Sequence, residues 1–454
     1  MTIGCAVLLA HTTPASAQAS DDALNLTTQP LGLLALAIFV IAYALVVLEE
    51  TTRMRKSKPV LVAAGLIWAL IGFSYSSAGQ GAAANAAAAH TIFEFGELFL
   101  FLLVAITYVN TLEERRVFEV LRARLAGIEL SYRGLFWLTG VVAFFLSAVL
   151  DNLTTVLVMG AVVLAIGRDS PKFLTLACIN LVVAANAGGA FSPFGDITTL
   201  MVWQKGKLEF FEFFQLFVPA AVSYLVPAAI IHFAVPHGIP EKSADRVRLK
   251  SGAWAAIILF AATIATAVCF KNFFNLQPAL GMMLGLGYLQ ILAYALQTRA
   301  RRRDDADLVL DSFALIAKVE WDTLLFFFGI IFAVGGLGVL GYLEVTSQYL
   351  YGDLGPTAAN IIIGVLSAVI DNIPLMFAVL TMNPQMSEGQ WLLITLTTGI
   401  GGSILSIGSA AGVALMGQAR GIYTFPVHFQ WSWAIALGYA AAILTHLLIN
   451  AATF

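Results

Sequence analysis

Apolar residues fall in blocks near the length of a membrane-crossing helix along the whole chain, parted by short polar or basic stretches. One crossing takes roughly 20 residues. Inside lipid, a chain must satisfy its own backbone hydrogen bonds, which leaves helices for blocks of this kind. The pattern predicts spans at 31–48, 60–75, 91–110, 214–235, 254–270, 276–296, 324–340 and 431–448. The uncharged stretch 76–89 reads as an outer loop, and the Lys- and Arg-free stretch 342–354 should also lie outside. Residues 112–130 mix apolar and charged positions and read as an amphipathic helix lying at the interface.

Four apolar stretches do not fit a plain span. Residues 135–166 number 32 and are interrupted by Asp151-Asn152. That is too long for one crossing and gives about 16 residues each to two, which is short of the length needed. A re-entrant hairpin fits, and 357–380 reads the same way, with Asp371-Asn372 at its tip. The stretch 173–203 holds Gly188, Gly189, Pro193 and Gly195, enough to unwind a helix. The stretch 391–416 holds Gly399, Gly401, Gly402, Gly408 and Gly412. Both read as discontinuous helices with an unwound centre.

These exceptions come in pairs. Ser147-Ala148-Val149-Leu150-Asp151-Asn152-Leu153 returns 220 positions later as Ser367-Ala368-Val369-Ile370-Asp371-Asn372-Ile373. Gly189 and Gly195 are six apart, as are Gly402 and Gly408. Orientation follows from Lys and Arg, which concentrate on the cytoplasmic side. With both hairpins re-entrant, every basic cluster lands inside and only Lys205, Lys207 and Lys271 fall outside. Reading either hairpin as one span puts clusters outside. The hairpins then enter from opposite faces. That is an inverted repeat, with a site where the two tips meet near the midplane. The fold class is all-α polytopic. A first half occupies 31–236, a cytoplasmic linker 237–253 and a second, inverted half 254–450.

Composition agrees. The chain is 59% hydrophobic and 11% charged, where soluble domains carry about 25% charge. The net charge of −3 says little, and no basic patch suggests nucleic acid. Residues 1–17 read as a signal peptide, with Ala15-Ser16-Ala17 as a small-residue cleavage site but without a basic start. Cys5 lies in that leader. Cys178 and Cys269 read as small buried hydrophobes, with no metal or disulfide spacing.

The chemistry lies in the interruptions. Asp151, Asp196 and Asp371 fall near the expected midplane, and no Lys or Arg falls there. An ionisable residue at that depth is a functional candidate by default. Asn152, Asn186, Thr154, Thr155, Thr198, Thr199, Ser403, Ser406 and Ser409 supply neutral oxygens suited to a small hard cation. Three acids without a base argue against an organic anion. A carboxylate so placed binds either a proton or Na⁺, and that competition suffices for exchange if access alternates. Asp196 has no acidic counterpart, since Ser409 takes its place. A lone intramembrane Asp can also be a satisfied cap, and glycines can be close-packing positions. Glu94 and Glu97 share a helix face, as proton relay or as interface residues. His90 reads as a pH sensor or a solvated helix-start residue. His232, His237, His428 and His446 have no visible partners in the sequence.

At 147–155, at 186–199 and at Asp371-Asn372-Ile373-Pro374 the sequence resembles NhaD-type sodium/proton antiporters of the ion transporter superfamily. The likeness runs from about Leu31 to the C-terminus, and Gly195-Asp196-Ile197-Thr198-Thr199 is its most specific part. It implies exchange of Na⁺ or Li⁺ for H⁺, activity favoured at alkaline pH, a bacterial inner-membrane location, a homodimer and no cofactor. It implies site positions at Asp151, Asn152, Asn186, Asp196, Thr198, Thr199, Asp371 and the serines after Gly402, with Asn372 at the second tip and Na⁺ at the three aspartates. His90 and Glu97 are weaker carry-overs. The competing expectation is a Na⁺-coupled arsenite or dicarboxylate permease.

Overall fold

The computed structural model describes residues 24–240, 247–303 and 306–454. The expected leader and Cys5 lie outside these residues, as do Lys242 and Arg246 of the linker. Among the described residues the regular structure is helical throughout.

The chain opens with α1 (Pro30–Val47), the short α2 (Glu49–Thr52) and α3 (Ser57–Ser77). Pro30 suits a first helical position, where no N–H partner exists to lose. Next comes α4 (Gly81–Glu114), 34 residues in one helix. This corrects the expected loop at 76–89: the Ala-rich run after Gly81 has the highest helix propensity and extends the span instead. The amphipathic segment is α5 (Val117–Ala126). Then come α6 (Tyr132–Ser147), α7 (Asn152–Ile166), α8 (Pro171–Gly189), α9 (Ile197–Gln204) and α10 (Phe217–His232).

The second half runs α11 (Ala253–Phe274), α12 (Pro278–Arg303), the short α13 (Ser312–Ala317) and α14 (Trp321–Val339). The stretch 342–354, expected outside, forms α15 (Tyr342–Ser347) continued by a π turn at Gln348–Asp353. After it come α16 (Pro356–Leu366), α17 (Asn372–Met382), α18 (Glu388–Gly401), α19 (Ala410–Gln418), the short α20 (Phe425–Phe429) and α21 (Ser432–Ile449). Nine helices among the described residues are long and apolar enough to cross a membrane. The pair α18–α19, taken as one broken span, makes ten.

Burial sorts these helices. The apolar window of α8 is 89% buried and that of α1 only 17%, so α8 is a central element and α1 a peripheral one. Exposed Leu33, Ile41, Ile258, Ile291 and Leu444 give the bundle an apolar outer face suited to lipid. Cys178 is buried as expected, while Cys269 is only partly so.

The two halves pack by the same plan. α6 lies on α8, and α16 lies on α18. α7 packs on α19 of the other half, and α17 packs on α9. Matching glycines allow the contacts. A Cβ on Gly188 would sit 2.0 Å from the Phe144 carbonyl oxygen, and one on Gly401 would sit 2.0 Å from that of Gly364. Small residues let membrane helices approach this closely.

The starts of α6 and α8 lie together, with the Tyr132 ring 4.7 Å from that of Phe173. The starts of α16 and α18 also lie together, where Gln390 Nε2 donates to Thr357 Oγ1 at 2.6 Å. The second pair sits at the end of the bundle where Lys207 bonds Asn383. The first sits at the other end, where Thr175 Oγ1 donates to the Ile422 carbonyl at 3.1 Å. The basic loops are drawn together as well. Glu114 pairs with Lys250 at 3.0 Å and Lys318 at 3.6 Å. The buried Arg115 donates to the carbonyls of Ser251, Asp307 and Val309.

Candidate cation site at the helix breaks

Each interruption ends in a helix start capped by a short polar side chain. Asp151 caps α7, Asp196 caps α9, Asp371 caps α17 and Ser409 caps α19. These residues are preferred caps because a side-chain oxygen can take an N–H that the helix leaves unpaired. The breaks are shorter than the glycine pattern suggests: α8 stays helical through Gly189, α18 through Gly401, and Gly412 already lies in α19.

Asp196 is the meeting point. Its Oδ2 accepts from Asn152 Nδ2 at 2.9 Å and from Asn372 Nδ2 at 3.0 Å. Its Oδ1 accepts from the Thr198 amide at 2.9 Å and Thr198 Oγ1 at 3.1 Å. The residue is only 4% exposed. Asn152 Nδ2 also reaches Asn186 Oδ1 at 3.0 Å, and Asn186 Nδ2 donates to Ser409 Oγ at 3.2 Å. One network therefore joins the asparagines of both Asp-Asn pairs to both helix breaks.

Asp151 and Asp371 line the same cavity as Asp196, a space of about 550 Å³. Its walls are largely apolar, with Phe101, Ile106, Leu157 and Phe327 among them. Lys56, Glu113, Glu119, Arg122 and Glu320 also line it, so it reaches toward the end of the bundle that gathers the basic loops. Among the described residues, no cationic side chain pairs with Asp151, Asp196 or Asp371.

Other expected site residues are engaged elsewhere. Thr199 closes a capping box: Oγ1 accepts from the Asp196 amide at 3.3 Å and donates to the carbonyls of Asp196 and Ser192. Thr154 holds Asp151 through its amide at 2.8 Å and its hydroxyl at 2.7 Å. Ser403 Oγ donates to the Ile400 carbonyl at 2.6 Å, and Ser406 Oγ to Met416 Sδ at 3.4 Å. Thr155 Oγ1 is buried with no partner among the described residues. His90 and Glu97 do not line the cavity. His90 instead meets Glu94 at 3.3 Å, and Glu94 pairs with Lys205.

Three histidines have partners that the sequence hid. His232 Nδ1 accepts from Trp137 Nε1 at 3.2 Å. His446 bonds the Gly389 carbonyl at 2.9 Å and Asn450 at 2.8 Å. His428 is fully buried, with Nδ1 2.7 Å from Tyr423 Oη and Nε2 2.9 Å from the Ser403 carbonyl. One residue at the site went unnoticed. Tyr43 of α1 accepts the Asp371 amide at 3.2 Å. No motif or spacing marks it, because α1 lies outside the duplicated elements.

Helix breaks meeting at one buried carboxylate, with two more on the same cavity, within an apolar bundle define a polytopic membrane protein of the ion-transport class. A family model described as citrate transporter matches residues 26–399. The Na⁺/H⁺ antiporter NhaD of Alkalimonas amylolytica is 54% identical, over 98% of this chain and 96% of its own. That of Vibrio cholerae is 52% identical, over 97% of each. Sodium/proton antiporter 1 of Arabidopsis thaliana is 33% identical over 91% of this chain and 72% of its own. The chain belongs to the NhaD-type sodium/proton antiporters within that broader family.

Proposed function

We propose that the chain is a secondary transporter that exchanges Na⁺ or Li⁺ for H⁺ across the bacterial cytoplasmic membrane. Asp151, Asp196 and Asp371 bind proton and cation in competition. The observation that carries the reading is Asp196. It is a buried carboxylate held by four bonds from neutral donors, with no cationic side chain beside it among the described residues. A buried, unpaired charge costs several kcal/mol. A proton or a Na⁺ removes that cost, and neither needs to be permanent. The two hairpins are read as re-entrant, entering from opposite faces, and the chain as a homodimer.

The alternative is a Na⁺-coupled anion permease, in keeping with the family model's description. Four helix starts converge here, and helix starts attract anions. In this chain, however, three of them are capped by the protein's own carboxylates. The place an organic anion would take is already negative, so the cation reading is favoured.

Everted membrane vesicles carrying the full chain test it. A pre-formed pH gradient should collapse on adding Na⁺ or Li⁺. Collapse by neither, with uptake of arsenite, succinate or citrate instead, would reverse the assignment.

A further inference from the structure

The two hairpin tips share a sequence but not a bonding pattern. Asp151 has a donor on each carboxylate oxygen: Thr154 supplies its amide to Oδ1 at 2.8 Å and its hydroxyl to Oδ2 at 2.7 Å. The position matching Thr154, 220 residues later, is Pro374. Proline has neither an amide N–H nor a hydroxyl to give. Asp371 Oδ1 keeps only one long bond, from the Ile373 amide at 3.4 Å, and among the described residues no donor reaches Oδ2. The carboxylate lines the cavity with lone pairs unused.

A tip so loosely capped needs another anchor, and the structure supplies one from outside both repeated elements. The Asp371 amide donates to Tyr43 Oη at 3.2 Å. Tyr43 sits on α1, which packs on α3 and α14. Its phenol oxygen takes the backbone and leaves the carboxylate alone.

We propose that Tyr43 is a positioning residue of the cation site. It fixes the second tip by its backbone, in place of the donors that Pro374 has removed, and so keeps the Asp371 carboxylate open to the cation. This rests on the antiport reading above and deepens it. The duplicated tips then do different work. Asp151 meets the cargo with a carboxylate already held as a helix cap, and Asp371 with one whose oxygens are freer. Pro374 is part of the device, because a residue with an N–H there would compete with the cation for the same lone pairs.

The test uses the full chain in everted vesicles, with apparent KM and maximal rate measured separately for Na⁺ and for Li⁺, at matched protein level. Tyr43→Phe keeps the ring and removes the oxygen. It should raise the apparent KM roughly five-fold, the worth of one hydrogen bond, with maximal rate within about two-fold. Pro374→Ala restores only the N–H, and Pro374→Thr restores N–H and hydroxyl. Apparent KM should rise in that order, through a route independent of Tyr43. Cation protection of the purified protein against thermal unfolding should weaken in parallel. A merely structural role would lower protein level or maximal rate and leave KM and protection untouched. That outcome in both Tyr43→Phe and Pro374→Ala overturns the proposal while antiport stands. An unmutated chain that answers neither Na⁺ nor Li⁺ overturns the antiport reading instead.

Discussion

Asn372 donates its side-chain amide to Asp196 Oδ2 at 3.0 Å, across 176 residues of chain. The bond ties the tip of the second hairpin to the break of the first half. It is matched by the bond from Asn152 to the same oxygen at 2.9 Å.

From this follows the behaviour of Asp196→Asn. The amide can offer its single oxygen to one pair of donors only, so an N–H group faces other donors. Stability should fall by about 1–3 kcal/mol, and Na⁺-dependent collapse of a pH gradient should vanish because the carboxylate that joins both asparagines is lost from the site. Vesicle assays beside a membrane-level blot check it. Normal exchange would remove Asp196 from the site.

Gly188 and Gly401 make a paired prediction. Alanine at either would press a methyl group against a carbonyl oxygen at 2.0 Å. Backbone cannot yield as a side chain can, so each should cost about 3 kcal/mol. Gly287→Ala in α12 has nothing within 4 Å and should be silent. Thermal melts in detergent compare the three. Equal melts would mean the helix pairs are less close than described.

His428 should give the fold an acid limit. Burial pushes its ring down from 6.5 to about 4. The folded state therefore prefers the neutral ring. Its contribution is complete above the unfolded value near 6.5 and is lost as pH falls toward 4, by roughly 3 kcal/mol in all. The ring also latches Tyr423 and the Ser403 carbonyl beside the second break. His428→Gln should be less stable at pH 8 and should flatten the decline between pH 6.5 and 4. Melting curves across that range read both effects.

Arg115 should prove costly to replace. Its guanidinium answers three carbonyls from two separate loops, and the residue is 1% exposed. A lysine there is a point charge without the planar fork. Arg115→Lys should lose about 2 kcal/mol or more, read as lower membrane yield and melting temperature. Apparent KM for Na⁺ should not change, since Arg115 does not line the cavity.

What the sequence determined by itself is local or periodic. Block length gives the spans, because a bilayer has one thickness. Glycine marks both breaks and Pro193 the first, because helices tolerate both residues poorly, although those breaks proved shorter than the glycine runs. The Asp-Asn repeat marks both tips by plain duplication. Where propensity outweighed the loop reading, as in the Ala-rich start of α4, the sequence held the answer and a different rule applied. The tertiary structure alone decided which polar groups meet. Asp196 receives both asparagines, while Thr199, Ser403 and Ser406 turn to nearby backbone or sulfur. Spacing gives only the helix face a hydroxyl occupies, and any neighbouring carbonyl can claim it. The partners of His428 and the reach of Tyr43 to Asp371 depend on helices brought together from distant parts of the chain. Such contacts are set by packing, and no local pattern encodes them.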